Sequence, residues 1–194
     1  MGLAVMILGL VVFFGAHTLT TQRAARASVI QTLGEGGYKI AFSIVAAIGI
    51  ALIAWGFSRY RLEGWVDIWS PPTWLKHLNL ALMLIASILV VAAYLRGRIY
   101  KAVKHPFLAG VKLWAFGHLL ANGDLGGIIL FGSFLGWAVY DRISLKRRGE
   151  AGGPPIAVGG LGNDVLAVII GVIVYLALAL AFHPVVIGVP VIPR

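Results

Sequence analysis

The stretch HPFLAGVKLWAFGHLLANGD, residues 105–124, joins a long apolar run to two histidines and a polar end. His105 and His118 stand thirteen residues apart in it. Pro106 favours a helix start, because a proline in the first helical position loses no hydrogen bond. Asn122-Gly123 favours a turn, since both residues tolerate a positive φ. The stretch therefore predicts an apolar helix that carries imidazoles and ends in a sharp turn.

The composition around this stretch is that of an integral membrane protein. The chain has 194 residues, of which 60% are hydrophobic and 12% are charged, whereas about a quarter of the residues in average soluble chains are charged. Its mean hydropathy is +0.93. The lipid bilayer is therefore its expected surroundings. The chain contains no cysteine, which excludes disulfides, thiolate metal sites and cysteine nucleophiles.

Six apolar runs are long enough, or nearly so, to cross about 30 Å of hydrocarbon as helices. The first run lacks a basic leading segment, so we interpret it as a span rather than a signal peptide. The predicted fold class is all-α, a polytopic membrane helical bundle of about six transmembrane helices. The predicted spans are 2–20, 39–58, 74–95, 106–122, 124–141 and 164–183.

The turn between the fourth and fifth spans predicts a tight hairpin. Only Asn122-Gly123 separates the two apolar runs, so we expect them to pack antiparallel. Asp124 directly follows the turn, where its carboxylate would cap the freed backbone groups at the start of the fifth span.

The net charge of +9 predicts the orientation of the chain. In a soluble protein such a charge would suggest nucleic acid. Here the basic residues occupy short loops between apolar runs, which indicates anchoring on an anionic leaflet, so no nucleic-acid partner is expected. Loops on one side carry eleven Lys and Arg, and the other side carries four. The positive-inside rule then places both termini in the periplasm, in a bacterial inner membrane.

The organisation along the chain is simple. We predict a single membrane-embedded domain over 1–194. Residues 149–163 are rich in Gly and Pro, which prevent regular structure, so a flexible loop is expected there. Its glycines do not follow a strand of a βαβ unit, which argues against a phosphate-binding loop.

The five histidines are the candidate functional residues, because ionisable groups inside a membrane are rare and usually have a role. His105 precedes a helix start, His183 precedes Pro184 at an expected helix end, and His77 lies near the water boundary. These positions have structural explanations. His17 and His118 lie among apolar residues away from any cap, and each could make an interhelical hydrogen bond or bind a ligand.

The residues available favour haem over a protein-only metal site. Zinc usually needs three protein ligands, and only Asp124 and Asp164 approach the membrane as carboxylates. A haem needs one or two axial imidazoles and an apolar slot, and aromatic side chains are plentiful. A quinone site near one interface would use a histidine as well. A proton relay is not expected, because the spans lack chained carboxylates.

Three stretches of the chain resemble the NnrU family. They are MILGLVVFFGAHTLTTQRAAR (6–26), LGEGGYKIAFSIVAAIGIALIAWGF (33–57) and the stretch quoted above, and the resemblance covers residues 1–145. The family is related to the plant 15-cis-zeta-carotene isomerases, which are integral membrane proteins with haem b. The resemblance therefore implies haem b in this chain.

The resemblance also implies the ligands. The isomerases' two haem histidines match His17 and His118, and Trp114 belongs to the same signature as His118. Because our spans place these histidines roughly 10–13 Å apart in depth, His105 is kept in reserve as a partner for His17. By depth alone, His118 pairs more easily with His77 or His183. The isomerases carry a cysteine where this chain has Ala115.

Three functions follow as expectations. The first is a haem b-binding protein with a role in denitrification, as the resemblance to NnrU implies. The second is a haem-dependent cis–trans isomerase of a polyene such as zeta-carotene, with an apolar, lipid-like substrate. The third is a non-catalytic assembly or packing subunit, because Gly132 and Gly136 form a GxxxG pattern that could seat a partner membrane helix or serve packing within the bundle.

Overall fold

A computed structural model describes residues 1–149 and 156–191, and within them the chain is helical, with no strand. The prediction of an all-α fold is confirmed. Helix α7 continues without interruption into a π-helical segment, Leu178–Ile187. The seven α-helices are α1 (Gly2–Thr21), α2 (Arg23–Leu62), α3 (Thr73–Ala92), α4 (Arg98–Val103), α5 (Pro106–Ala121), α6 (Leu125–Arg148) and α7 (Leu161–Ala177).

Each of the six predicted spans coincides with a helix. Five helices in the described part of the chain are long and apolar enough to cross a membrane, namely α1, α2, α3, α6 and α7 with its π-helical segment. The predicted fourth span is the shorter apolar helix α5, with 16 residues. The chain is thus built as a multi-pass membrane protein.

Helix α2 begins well before its predicted span. Its first part, which holds Arg23 and Arg26, leads to Gly34, where φ is 70° and ψ is 165°. This conformation is outside the helical region and is one that glycine adopts at no steric cost. Gly34 therefore separates a short basic helix from the long apolar one.

The chain divides into two compact units. Unit 1 comprises Met1–Pro71 and Asn122–Arg148, and unit 2 comprises Pro72–Ala121 and Gly149–Arg194. The single-domain organisation stays a prediction. Residues 150–155 of the predicted flexible loop lie outside the described residues, residues 156–160 form no helix or strand, and α7 already begins at Leu161.

Unit 1 is built on the antiparallel pair of α1 and α2. Gly9 in α1 faces the backbone of Ile53, whose nitrogen would lie 2.6 Å from a Cβ added to that glycine. Gly56 in α2 faces the backbone of Met6 in the same way. Small residues let membrane helices approach closely enough for dispersion contacts to hold them together. Helix α6 packs on α1 in this unit.

The link between α5 and α6 is extended rather than left-handed. The Gly123 carbonyl oxygen accepts hydrogen bonds from the backbone N–H groups of Ile68 at 2.8 Å and Trp69 at 3.1 Å. Our prediction of a positive φ at Asn122-Gly123 was wrong, since neither has one. Gly123 is required for a different reason: a Cβ there would overlap the Trp69 carbonyl oxygen.

Asp124 caps α6 as predicted. Its Oδ1 accepts a hydrogen bond from the backbone N–H of Gly127 at 2.8 Å, the N3 position of the helix. The predicted break between the fourth and fifth spans is confirmed. Their packing as a hairpin stays a prediction, because α5 belongs to unit 2 and α6 to unit 1.

Unit 2 is built around α3, which packs on α5 and α7. Gly110 in α5 faces the backbone of Ala86 and the side chain of Val90, and Gly171 in α7 faces the backbone of Ile88. Both neighbours run antiparallel to α3. The C-terminal ends of α5 and α7 therefore lie at the same end of the unit.

The last helix does not end at His183-Pro184, and that expectation was wrong. The helix passes Pro184 in its π-helical segment and stops at Gly188, which has a φ of 73°. A proline ring clashes with the carbonyl four residues earlier in an α-helix, and local π turns are one way in which membrane helices accommodate it.

Candidate histidine sites

His17 lies in α1 among aromatic rings of unit 1. Its Nδ1 is 2.7 Å from the carbonyl oxygen of Phe13. Its ring centre is 4.0 Å from that of Phe13, 5.0 Å from that of Phe42 and 5.3 Å from that of Trp137. The side chain is half-buried. Three aromatic rings therefore lie close to this histidine.

Two polar atoms of this aromatic group have no hydrogen-bond partner among the described residues. They are the Trp137 Nε1 and the Tyr38 hydroxyl oxygen, and both are buried. Tyr38 is only 6% exposed, and its ring centre is 6.3 Å from that of Phe42. Neither residue could be recognised from the sequence, because the local pattern around each one is the same as around ordinary packing residues.

His118 lies in the last turn of α5 in unit 2. Its Nδ1 is 2.8 Å from the carbonyl oxygen of Trp114, and the two ring centres are 5.4 Å apart. The preceding Gly117 gives room to the side chains of Asn79 and Met83 on α3. His118 and Trp114, which the sequence signature joins, are thus in contact.

His183, in the π-helical segment, is the second imidazole at this end of unit 2. Its Nδ1 is 2.9 Å from the carbonyl oxygen of Leu178, five residues earlier. The ring centres of His118 and His183 are 6.3 Å apart, and the ring planes differ by 20°. The sequence placed His183 at a predicted helix end and suggested it only as a possible partner of His118 at a similar depth in the membrane.

The three imidazoles share one hydrogen-bond pattern that fixes their chemistry. A carbonyl oxygen can only accept, so the Nδ1 beside it must carry the proton. In a neutral imidazole the Nε2 then holds the lone pair. Histidines that bind metals are oriented in this way, by donating the other ring N–H to a carbonyl or carboxylate. Each of His17, His118 and His183, when neutral, therefore carries its lone pair on Nε2.

The other two histidines differ. The His105 carbonyl oxygen accepts a hydrogen bond from the Ala109 N–H at 3.0 Å, and α5 begins at Pro106, as predicted. His77 is exposed on α3. His17 belongs to unit 1, whereas His105 and His118 belong to unit 2. Each pair that the sequence suggested for His17 thus takes one imidazole from each unit, while His118 and His183 meet within one.

Protein side chains alone do not form a metal cluster in the part of the chain that the structure describes. No group of three or more His, Cys, Asp or Glu side chains that could hold a metal ion occurs there. A haem needs fewer protein ligands, because the porphyrin supplies four nitrogens to the iron and the protein one or two axial groups. The donor set of paired imidazoles suits that cofactor.

Comparison with known proteins gives one match. A family model described as NnrU protein matches residues 5–191. No curated protein and no solved structure matches the chain. The match spans both units and extends beyond the stretches that carried the sequence resemblance.

Proposed function

Since the chain belongs to the NnrU family, we propose that it is an integral membrane protein that binds haem b through intramembrane histidines. The observation that carries the proposal is the hydrogen bond from His118 Nδ1 to the Trp114 carbonyl oxygen, at 2.8 Å. It orients the ring and leaves the lone pair on Nε2, as in metal-binding histidines.

The residues fit the cofactor. His118 stands on an apolar helix beside Trp114, and the resemblance gives His17 as a candidate for the second ligand, with His105 in reserve. His17 has the same Nδ1 hydrogen bond and a surrounding of aromatic rings, which suits a flat apolar group. Thiolate ligation is excluded, because the chain has no cysteine.

Haem held by these imidazoles would supply an iron centre capable of one-electron chemistry. The carbonyl oxygens of Phe13 and Trp114 orient the imidazoles of His17 and His118. A role in denitrification is part of the proposal and comes from the family. So is a location in the bacterial inner membrane with both termini in the periplasm, which the loop charges support.

The proposal is tested by purifying the protein in detergent and recording its visible spectrum, with pyridine extraction to identify the haem type. We expect a Soret band and haem b. His118→Ala should lose haem or turn the iron high-spin, whereas His77→Ala, at an exposed position on α3, should not change the spectrum. A colourless wild-type protein expressed with ample haem would overturn the proposal.

The two other functions rank lower. A haem-dependent isomerase with an apolar substrate lacks the thiol of its relatives, and Ala115, in its place, is fully buried. A packing subunit is favoured by Gly132 and Gly136, because a Cβ added at either would meet no described atom within 4 Å. That surface is free to take a neighbouring membrane helix, and it is compatible with haem binding.

A further inference from the structure

The separation of the His118 and His183 rings matches that of two imidazoles on one metal ion. Each metal–nitrogen bond is about 2.0 Å, and each ligating nitrogen lies about 1.15 Å from its ring centre, so opposed ligands hold their ring centres about 6.3 Å apart. The observed distance between the ring centres is 6.3 Å and the nearly parallel ring planes differ by 20°, so a metal ion would fit between the rings when both Nε2 atoms are turned toward it.

The fold explains why these rings meet. Helices α5 and α7 both run antiparallel to α3, so their C-terminal ends lie at the same end of unit 2. His118 is in the last turn of α5, and His183 is in the π-helical continuation of α7. The pair therefore depends on packing within unit 2 and needs no residue from unit 1.

Each of the two rings is held by a hydrogen bond to its own helix. Each Nδ1 bonds a carbonyl oxygen of its own helix, Trp114 for His118 and Leu178 for His183. In an imidazole, Nδ1 and Nε2 are separated by Cε1 and point outward in different directions, so an Nδ1 bonded to that carbonyl oxygen leaves Nε2 available for another partner. For His183 the bond reaches back five residues, a spacing that the π-helical turn supplies, and such turns occur frequently at functional sites.

From these observations we infer that His183 is the axial ligand opposite His118, in the place that the family resemblance gives to His17. The inference rests on the proposed haem binding. It assigns the complete ligand set to unit 2. It leaves His17, with its aromatic neighbours and the buried Trp137 Nε1, outside the first coordination sphere of the iron.

The test compares four single variants in detergent: His183→Ala, His118→Ala, His17→Ala and, as the exposed control, His77→Ala. Electron paramagnetic resonance of the ferric protein and the visible spectrum report the spin state. We expect His183→Ala and His118→Ala to lose the low-spin signal. His77→Ala, the control, should keep it, and the His17→Ala protein distinguishes the two candidate pairs, because a retained low-spin signal would show that His17 is not a ligand. Free imidazole added to the His183→Ala protein should restore the low-spin spectrum, which a purely structural role would not allow.

The results that would contradict the inference differ from those that would contradict the proposed function. A low-spin His183→Ala protein together with a high-spin or haem-free His17→Ala protein would overturn the inference and support the pair from the resemblance. If His183→Ala fails to fold, His183→Met serves instead, because a thioether ligand should give a low-spin spectrum different from that of the wild type. An unchanged spectrum of that variant contradicts the inference. A colourless wild type overturns the proposed function itself, and the inference with it.

Discussion

The side chain of Asp164 in α7 forms hydrogen bonds to the backbone at the start of α4. The carboxylate oxygens accept hydrogen bonds from the backbone N–H groups of Arg98 and Ile99, each at 2.9 Å. Asp164 is 7% exposed, so these bonds lie largely out of water. Gly97 is the cap residue of α4, and a Cβ there would overlap the Asp164 carboxylate. A buried acid of one helix thus caps the short basic helix that follows α3.

Asp164→Ala should lower the stability of the protein by roughly 1–3 kcal/mol, because two backbone N–H groups lose their acceptor in a buried position. Asp164→Asn keeps one acceptor oxygen and should lose less. Thermal unfolding in detergent, followed by circular dichroism, measures the change. The exposed Asp67→Ala is the matched control, and equal unfolding temperatures for Asp164→Ala and Asp67→Ala would contradict the capping role.

The glycines of the membrane helices should differ sharply in their tolerance of alanine. Gly56→Ala places a methyl group against the Met6 backbone and 2.9 Å from the Gly2 carbonyl oxygen, so a loss of about 1–3 kcal/mol is expected from overpacking. Gly136→Ala meets no described atom within 4 Å and should keep or slightly raise stability. Unfolding temperatures of the two variants check this, and a reversed order would refute it.

Asparagine should replace Asp124 as the N-cap of α6, because its side chain also carries an acceptor oxygen. Asp124→Ala removes the oxygen that binds the Gly127 N–H and should cost about 1 kcal/mol. Asp124→Asn retains a side-chain oxygen and should unfold within a degree or two of the wild type. Equal losses for the two variants would show that the charge of Asp124, rather than its capping oxygen, matters.

The orientation predicted from loop charge can be tested with single cysteines, because the chain contains none. Lys101→Cys lies on the basic helix α4, and Val66→Cys lies on the link after α2; both positions are exposed. A membrane-impermeant maleimide should label Val66→Cys in intact spheroplasts. It should label Lys101→Cys only after the membrane is opened. The reverse labelling would invert the topology.

Local sequence determined most of the fold. Hydropathy located the helices of all six predicted spans, five of which are long and apolar enough to cross a membrane. In lipid, a helix satisfies its backbone polar groups by internal hydrogen bonds and presents apolar side chains outward. Pro106 and Asp124 marked the starts of α5 and α6 through their own backbone chemistry. The role of Gly123 was misjudged, because the atom that forbids a side chain there belongs to Trp69, distant in sequence.

The candidate site, like the fold, could be predicted from the sequence only in part. The sequence by itself identified His118 and His17, because an imidazole in an apolar run is costly unless it has a partner. It did not single out His118 and His183 as two imidazoles that lie close together. That contact exists because α5 and α7 both pack on α3, and because a π-helical turn carries the chain past Pro184. Whether a segment is helical depends mainly on neighbouring residues along the chain, which the sequence itself displays. Whether two imidazoles meet depends on how separate helices pack, and only the tertiary structure decided that.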